Sequence, residues 1–137
     1  MPCFLDTNIL LYAKSTLPTE KQKRLITEDI LRRDDCVLSV KVLQEFYVQA
    51  IRPNRPHSMS REDAVALINV WHRFNVQPLT FELLLLALQI CDRLRFSYWD
   101  SAIIAAAMMA NCDVLYTEDL QHGQIINGIK VVNPFAG

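Results

Sequence analysis

Short apolar runs alternate along the chain with longer segments in which apolar residues recur at helical spacing. Short continuous runs of this kind are typical of strands that are buried on both faces of a sheet. The pattern predicts strands at residues 2–5, 36–38, 75–78, 113–116 and 129–132, the third of them brief. We therefore predict an α/β fold: a three-layer sandwich with a central, mostly parallel sheet of four to five strands flanked by helices.

Helices are predicted between these strands, and some follow a residue that favours a helix N-terminus. Ser39 and Ser97 are such N-cap residues. The helix after Ser97 is apolar on all sides, which predicts a central, buried position. The predicted helices cover residues 9–13, 19–33, 42–50, 60–74, 80–94 and 98–110.

The composition fits one folded domain over residues 1–137, with 51% hydrophobic and 21% charged residues. The chain has 14 basic and 15 acidic residues and a formal net charge of −1, so no overall field favours nucleic acid or an anionic membrane. The longest apolar run, residues 102–110, is shorter than the roughly 18–20 residues of a membrane span. With no signal-peptide pattern, we expect a soluble, cytoplasmic protein with four free cysteines.

Four acidic residues follow predicted strands or begin the helices after them. Asp6 and Asp119 come just after strands, Glu45 lies about two turns into a helix, and Asp100 lies in the first turn of the central helix. Since strand-to-helix loops converge at the carboxyl edge of a parallel sheet, these acids are expected to lie close together. Each also has a structural interpretation: Asp6 as a helix cap, Asp100 in a capping box, Glu45 on a solvated face, and Asp119 in a turn.

Four clustered carboxylates need a compensating charge. Two like charges about 4 Å apart repel by roughly 4 kcal/mol at an effective dielectric constant near 20. Protonation or cations can offset this repulsion, and an all-oxygen set of ligands favours Mg²⁺ or Mn²⁺. Two divalent ions would bring the four carboxylates to neutrality, and one would leave a charge of −2.

Four segments resemble, in order and spacing, the four motifs of PIN-domain nucleases. They are FLDTNIL at residues 4–10, SVxxLQEF at 39–46, YWDSAI at 98–103 and LYTEDL at 115–120. The resemblance covers essentially the whole chain, whose length is similar to that of the VapC-type toxins of bacterial toxin–antitoxin pairs. It implies a PIN-like fold and a metal-dependent endoribonuclease that hydrolyses RNA phosphodiester bonds, leaving 5′-phosphate and 3′-hydroxyl ends.

The resemblance also implies the roles of particular residues. Asn8, Ser39 and Thr117 match polar positions that orient the acidic side chains. Glu118 is a supporting polar residue that can share the fourth acidic role with Asp119, and the sequence does not divide that role between them. The implied catalytic residues, which also bind one or two Mg²⁺ or Mn²⁺ ions, are Asp6, Glu45, Asp100 and Asp119.

The implied partners are an RNA substrate, a small antitoxin that blocks the acidic site, and a second copy of the chain in a homodimer. An acid-free basic stretch is either an RNA-backbone contact or a solvated loop, and it contains Arg52, Arg55, His57 and Arg61. Trp99 is either a base-stacking residue or a buried aromatic at a helix start. Residues 83–86 and Trp71 are predicted to lie in the core, with part of that apolar surface available to a homodimer.

Two other functions are considered. One is a non-catalytic PIN-like module that binds RNA or protein. The other is a haloacid-dehalogenase-like phosphatase, for which Asp6 would be the nucleophile in an Asp6-x-Asn8 motif. The phosphatase hypothesis leaves Glu45 and Asp100 without roles, and the second Asp that is usual in that motif is Asn8 here.

Overall fold

The computed structural model describes residues 2–55 and 58–136, so His57 lies outside the described residues. Within this part of the chain the strands form one sheet in the order β3-β2-β1-β4-β6-β5, and all neighbouring pairs are parallel except β5 and β6. The prediction of an α/β fold with a mostly parallel sheet is confirmed. The strands are β1 (Cys3–Leu5), β2 (Cys36–Ser39), β3 (Asn75–Gln77), β4 (Val114–Tyr116), β5 (Ile125–Ile126) and β6 (Ile129–Val132).

The described sheet has six strands, so the predicted number of four to five was wrong. The additional strand, β5, has only two residues, which is too short to produce a hydrophobic period. It pairs antiparallel with β6 through a turn at Asn127 and Gly128, whose φ angles are +49° and +85°. An Asn-Gly pair between apolar residues is a strong hairpin signal. This pair is the feature of the sequence that indicates β5, which the apolar pattern did not predict.

The helices follow the predicted pattern, with shifts at their ends. A 3-10 turn at Pro18–Glu20 replaces the start of the second predicted helix. The fourth predicted helix, expected over residues 60–74, ends at Trp71. The side chains of Ser39, Ser97 and Thr80 each accept a hydrogen bond from the backbone N–H three residues on, as N-caps do. The helices are α1 (Thr7–Ala13), α2 (Lys21–Leu31), α3 (Val40–Ala50), α4 (Arg61–Trp71), α5 (Phe81–Leu94) and α6 (Tyr98–Met109).

The core lies between the central strands and the helices on the two faces of the sheet. Strands β1 and β2 are buried along their whole length, and α6 is buried from Ser101 to Ala107. The aromatic rings of Phe46 and Trp71 meet edge to face at 4.8 Å, so Trp71 is a core residue as predicted. Of the predicted apolar stretch in α5, Leu83 is buried and Leu85 is exposed. The four cysteines are free thiols, as expected.

The direction of the strands determines where a site can form. Since β1, β2 and β4 are parallel, their carboxyl ends meet at one edge of the sheet. Helices α1 and α3 begin at this edge, directly after β1 and β2. No helix among residues 2–55 and 58–136 combines the length and the apolar character that crossing a bilayer requires.

Candidate active site

An open cleft of about 480 Å³ lies at the carboxyl edge of the sheet. The structure brings all four predicted acids, from four separate segments, into the lining of this cleft. Of the other four lining residues, sequence reasoning considered only Trp99 for a role in binding. The complete lining is Asp6, Lys41, Gln44, Glu45, Trp99, Asp100, Ile103 and Asp119.

Asp6 is the most buried of the four acids, with 8% of its surface exposed. It is the N-cap of α1, and its Oδ1 accepts a hydrogen bond from the Thr7 backbone N–H at 2.7 Å. Asp6 therefore caps α1, as predicted, and also lines the cleft. Burial raises the pKa of the Asp6 carboxyl above its ordinary value, against the hydrogen bonds from Thr117 and Thr7.

Thr117 connects two of the acids. Its hydroxyl donates to Asp6 Oδ2 at 2.7 Å and accepts from the Asp119 backbone N–H at 3.1 Å. Burial, followed by the charges of Asp6 and Asp100, raises the pKa of Asp119, and a hydrogen bond with Asn8 opposes that rise. Thr117 and Asn8 therefore contact acidic residues of the cleft.

Glu118 and Asp119 face different surroundings. The Glu118 carboxylate accepts a hydrogen bond from the Tyr12 hydroxyl and pairs with Lys23 Nζ at 3.1 Å. The Lys23 ammonium also lies 4.5 Å from the centre of the Tyr12 ring. Glu118 thus anchors the loop after β4 to α1 and α2, and Asp119 alone of the pair lines the cleft.

Glu45 and Lys41 lie one turn apart on α3 and form an ion pair. The side chain of Lys41 is 16% exposed, and its Nζ lies 5.4 Å from the centre of the Trp99 ring. Burial lowers the pKa of Lys41, while the charges of Asp6, Asp100 and Asp119 act in the opposite direction. Sequence reasoning missed Lys41, although its spacing of four residues from Glu45 is the usual spacing of a helical ion pair.

Asp100 and Trp99 begin α6 at the mouth of the cleft. The Ser97 side chain accepts from the Asp100 backbone N–H at 3.1 Å, which is the N-cap half of the predicted capping box. In the described structure the Asp100 carboxylate does not complete that box and faces the cleft. Trp99 is 63% exposed, so the interpretation of it as a buried aromatic was wrong.

The remaining predicted residues lie outside the lining of the cleft. Ser39 caps α3 through a hydrogen bond from the Val42 N–H and is not seen to orient a carboxylate within the described structure. Arg52 follows α3, Arg55 lies in the next turn, and Arg61 begins α4. None of these three arginines lines the cleft.

The cleft can hold a hard cation, although its acids do not form a closed set of ligands. Within the described residues, no three of the four carboxylates bring oxygens within 4.8 Å of one another. The donors in the lining are nevertheless carboxylate oxygens, which suit Mg²⁺ or Mn²⁺. Nearby, Asn8 Oδ1 is buried without a hydrogen-bond partner in the described chain, which leaves a further oxygen unsatisfied at this edge. The residues present therefore fit a divalent ion.

A tighter group of ligand-type atoms occurs at the start of β1 and β2, where Cys3, Asp35 and Cys36 lie within 4.8 Å of one another. Both carboxylate oxygens of Asp35 accept hydrogen bonds from Arg33 at 2.8 Å. The Cys3 and Cys36 sulfurs are 3.8 Å apart and buried. This group is an ion pair beside two core thiols, at the end of the strands opposite the acidic cleft.

The fold and the cleft together define an α/β protein with an acidic cleft at the carboxyl edge of its sheet. Residues 3–125 match the family model of the PIN domain, and the chain belongs to the PIN domain family. The family expected from the four motifs is therefore confirmed, and this membership gives no support to the phosphatase hypothesis. No curated protein matches the chain.

Solved structures of the same fold are similar over nearly the whole chain. A toxin–antitoxin complex from Klebsiella pneumoniae matches with a TM-score of 0.72 and 18% identity, covering 97% of this chain and 98% of that chain. FitAcB from Neisseria gonorrhoeae has a TM-score of 0.69 at 17% identity, with 96% and 97% covered. VapC20 from Mycobacterium tuberculosis, described as a toxin that cleaves the sarcin–ricin loop, has a TM-score of 0.67 at 17% identity, with 85% and 89% covered. At these identities the likeness shows the fold.

Proposed function

We propose that the protein is a metal-dependent endoribonuclease and the toxin component of a toxin–antitoxin pair. The observation that carries this proposal is the cleft at the carboxyl edge of a PIN-domain sheet, lined by acids from four separate segments. An all-oxygen acidic cleft is suited to a hard divalent cation. A cation there would make the cleft attractive to a phosphodiester although the whole chain has a net charge near zero.

Asp6, Asp100, Asp119 and Glu45 are the proposed ligands of Mg²⁺ or Mn²⁺. When bound, the ion supplies Lewis acidity for the attack of water on the phosphodiester. The protein's own contribution is to hold its carboxylates in place. Thr7 and Thr117 each donate a hydrogen bond to one oxygen of Asp6, and Asn8 forms a hydrogen bond with Asp119.

RNA is the proposed substrate class. The exposed ring of Trp99 at the mouth of the cleft supports this proposal because an exposed aromatic side chain can stack on an unpaired base. Arg52, Arg55 and Arg61 lie outside the cleft and are proposed as more distant contacts to the RNA backbone. Charge reversal at Arg52 and Arg55 should then weaken RNA binding and reduce its salt dependence.

A small antitoxin and a second copy of the chain are the proposed protein partners. The similar structures from Klebsiella pneumoniae and Salmonella typhimurium are described as a toxin–antitoxin complex and as VapBC bound to DNA, which supports an antitoxin partner. The proposed location of both partners is the cytoplasm. The exposed apolar side chains of Phe81, Leu85 and Leu88 recur at helical spacing on α5. Such an uncovered stripe supports a homodimer, which sedimentation of wild type and Leu85→Glu would test.

Incubation of the purified protein with RNA and either Mg²⁺ or Mn²⁺ tests the nuclease function. Cleavage should be lost in Asp6→Asn and Asp100→Asn and retained in Asp92→Asn, which removes a carboxylate from the exposed part of α5. RNA binding without cleavage by the wild type would favour the non-catalytic module. Turnover of p-nitrophenyl phosphate without RNA cleavage would favour a phosphatase.

A further inference from the structure

Lys41 places a positive charge inside the cleft that is proposed to bind a divalent cation. It is the second residue of α3, and its side chain is 16% exposed. Burial and the positive end of the helix dipole both disfavour an ammonium group at this position. An ammonium placed there needs a compensating negative charge.

Glu45 supplies the nearest compensation. It lies one turn further along α3, forms the ion pair with Lys41, and lines the same cleft. On the other side, the Lys41 ammonium lies 5.4 Å from the centre of the Trp99 ring, within range of a cation–π interaction. Glu45 is therefore already paired with a cation, whereas Asp6, Asp100 and Asp119 face the cleft without such a salt bridge in the described structure.

The charges in the lining show what this ion pair changes. The four carboxylates carry a formal charge of −4, and Lys41 reduces the total to −3. One divalent ion then leaves −1, and a second would give the cleft an excess of positive charge. Without Lys41, two divalent ions are needed to neutralise the same four carboxylates.

We propose that Lys41 is an internal counter-ion that takes the place of a second divalent cation. It holds Glu45, one of the four acids proposed as ligands, away from the metal, so that the free protein binds one ion through Asp6, Asp100 and Asp119. This inference rests on the proposed metal site. It assigns Lys41 a positioning role, because Lys41 acts through Glu45 and through the charge of the cleft.

Titration with Mn²⁺ in the absence of RNA tests the proposal. Calorimetry, or the loss of the free-Mn²⁺ resonance, measures the number of bound ions and their affinities. We expect one ion in the wild type and in Lys41→Arg, which keeps the charge. Lys41→Gln should bind a second ion, or bind the first at least about tenfold more tightly, because a repelling charge has been removed from the lining of the cleft. Circular dichroism would verify that each variant is folded.

A matched control and a double variant separate the ion pair from general electrostatics. Lys130→Gln removes the same charge from β6, where Lys130 is exposed and pairs in register with Val114 at the amino end of β4. This variant should bind Mn²⁺ as the wild type does. In the double variant Lys41→Gln/Glu45→Gln, the released carboxylate is absent, so the gain seen in Lys41→Gln should disappear.

The possible results distinguish failure of this inference from failure of the proposed function. Binding of two ions by the wild type, or an unchanged titration in Lys41→Gln, overturns the role of Lys41 alone. A gain that persists in the double variant also overturns it, because Glu45 would then play no part. No binding by either wild type or Lys41→Gln overturns the metal site itself, and with it both the proposed function and this inference.

Discussion

Replacing Thr117 by valine removes a single hydroxyl from the centre of the candidate active site. Thr117 is fully buried, and its hydroxyl donates to Asp6 Oδ2 at 2.7 Å while accepting from the Asp119 N–H at 3.1 Å. Valine has nearly the same shape, so the change removes two hydrogen bonds with little loss of packing. Among the described residues, the buried Asp6 carboxylate then keeps the hydrogen bond from the Thr7 N–H alone.

The expected cost follows from these two bonds. A hydrogen bond to a charged group contributes about 1.5–3 kcal/mol, and one between neutral groups contributes about 0.5–1.5 kcal/mol. We therefore expect Thr117→Val to lower the free energy of unfolding by about 2–4 kcal/mol near pH 7.5 in metal-free buffer. Thr117→Ser keeps the hydroxyl and loses one methyl group, so it should cost about 1 kcal/mol.

The pH dependence has a definite sign. The folded-state pKa of Asp6 is raised above its ordinary value, so the stability linked to this group is fully present below the unfolded pKa and is lost as the pH rises through the folded pKa. The Thr117 hydrogen bond lowers the pKa of Asp6, and its removal should raise that pKa further. The difference in stability between wild type and Thr117→Val should therefore widen as the pH rises through the folded-state pKa values of Asp6.

Urea denaturation in EDTA at several pH values measures both effects. The coupling between Thr117 and Asp6 is tested by repeating the measurement in an Asp6→Asn background. There the loss of stability caused by Thr117→Val should be smaller, because no charge is buried at position 6. Equal stability of the valine and serine variants at pH 7.5, with a difference that does not change with pH, would refute the reasoning.

Three further outcomes are expected. Trp99→Ala should weaken the binding of single-stranded RNA by about five- to a hundredfold, because stacking contributes roughly 1–3 kcal/mol per base, and should barely change stability; fluorescence anisotropy measures the affinity. Asp100→Asn should be at least as stable as wild type in EDTA but should lose most of the rise in melting temperature that Mn²⁺ causes. A bound ion stabilises the folded state by about 2.7 kcal/mol when its concentration is 100 times its Kd. Tyr12→Phe should cost about 1.5 kcal/mol in urea denaturation, because the charged Glu118 carboxylate loses its hydroxyl donor at a partly exposed position.

Each of these outcomes has a control. Trp99→Phe keeps an aromatic ring and should keep most of the RNA affinity, so equal weakening by both variants would argue against stacking. Asp92→Asn should melt as the wild type does with and without Mn²⁺, and a full Mn²⁺ response in Asp100→Asn would remove that residue from the ligand set. An unchanged free energy of unfolding in Tyr12→Phe would mean that its hydroxyl does not hold Glu118 in solution.

Much of the fold could be predicted because the relevant signals are local. Three residues per strand were enough to identify β1 and β4, since their side chains are apolar on both faces and polar residues follow directly. Ser39 and Ser97 cap their helices as predicted, because an N-cap depends only on residues three positions apart. The two-residue strand β5 escaped detection because its apolar content is too small and only its Asn-Gly turn marks it.

The four acids that line the cleft could be predicted from the sequence, whereas the residues beside them could not. Strand order and direction bring Asp6 and Asp119 to one edge of the sheet, and this follows from parallel topology alone. The position of Lys41 inside the cleft depends instead on the tertiary structure, which brings its ammonium to 5.4 Å from the centre of the Trp99 ring on α6. The basic stretch is suited to RNA by composition, yet Arg52 and Arg61 are not among the residues that line the cleft.

The sequence by itself determined the α/β pattern, the family, and the four acids that line the cleft. Only the tertiary structure decided that Glu118 anchors a loop while Asp119 faces the cleft, that Trp99 is exposed, and that Lys41 pairs with Glu45 among the acids. The physical reason is the range of the interactions. Periodicity and caps act over a few residues, whereas Tyr12 and Glu118 are separated by 106 positions and Asp6 and Thr117 by 111, so these contacts exist only once the sheet has formed.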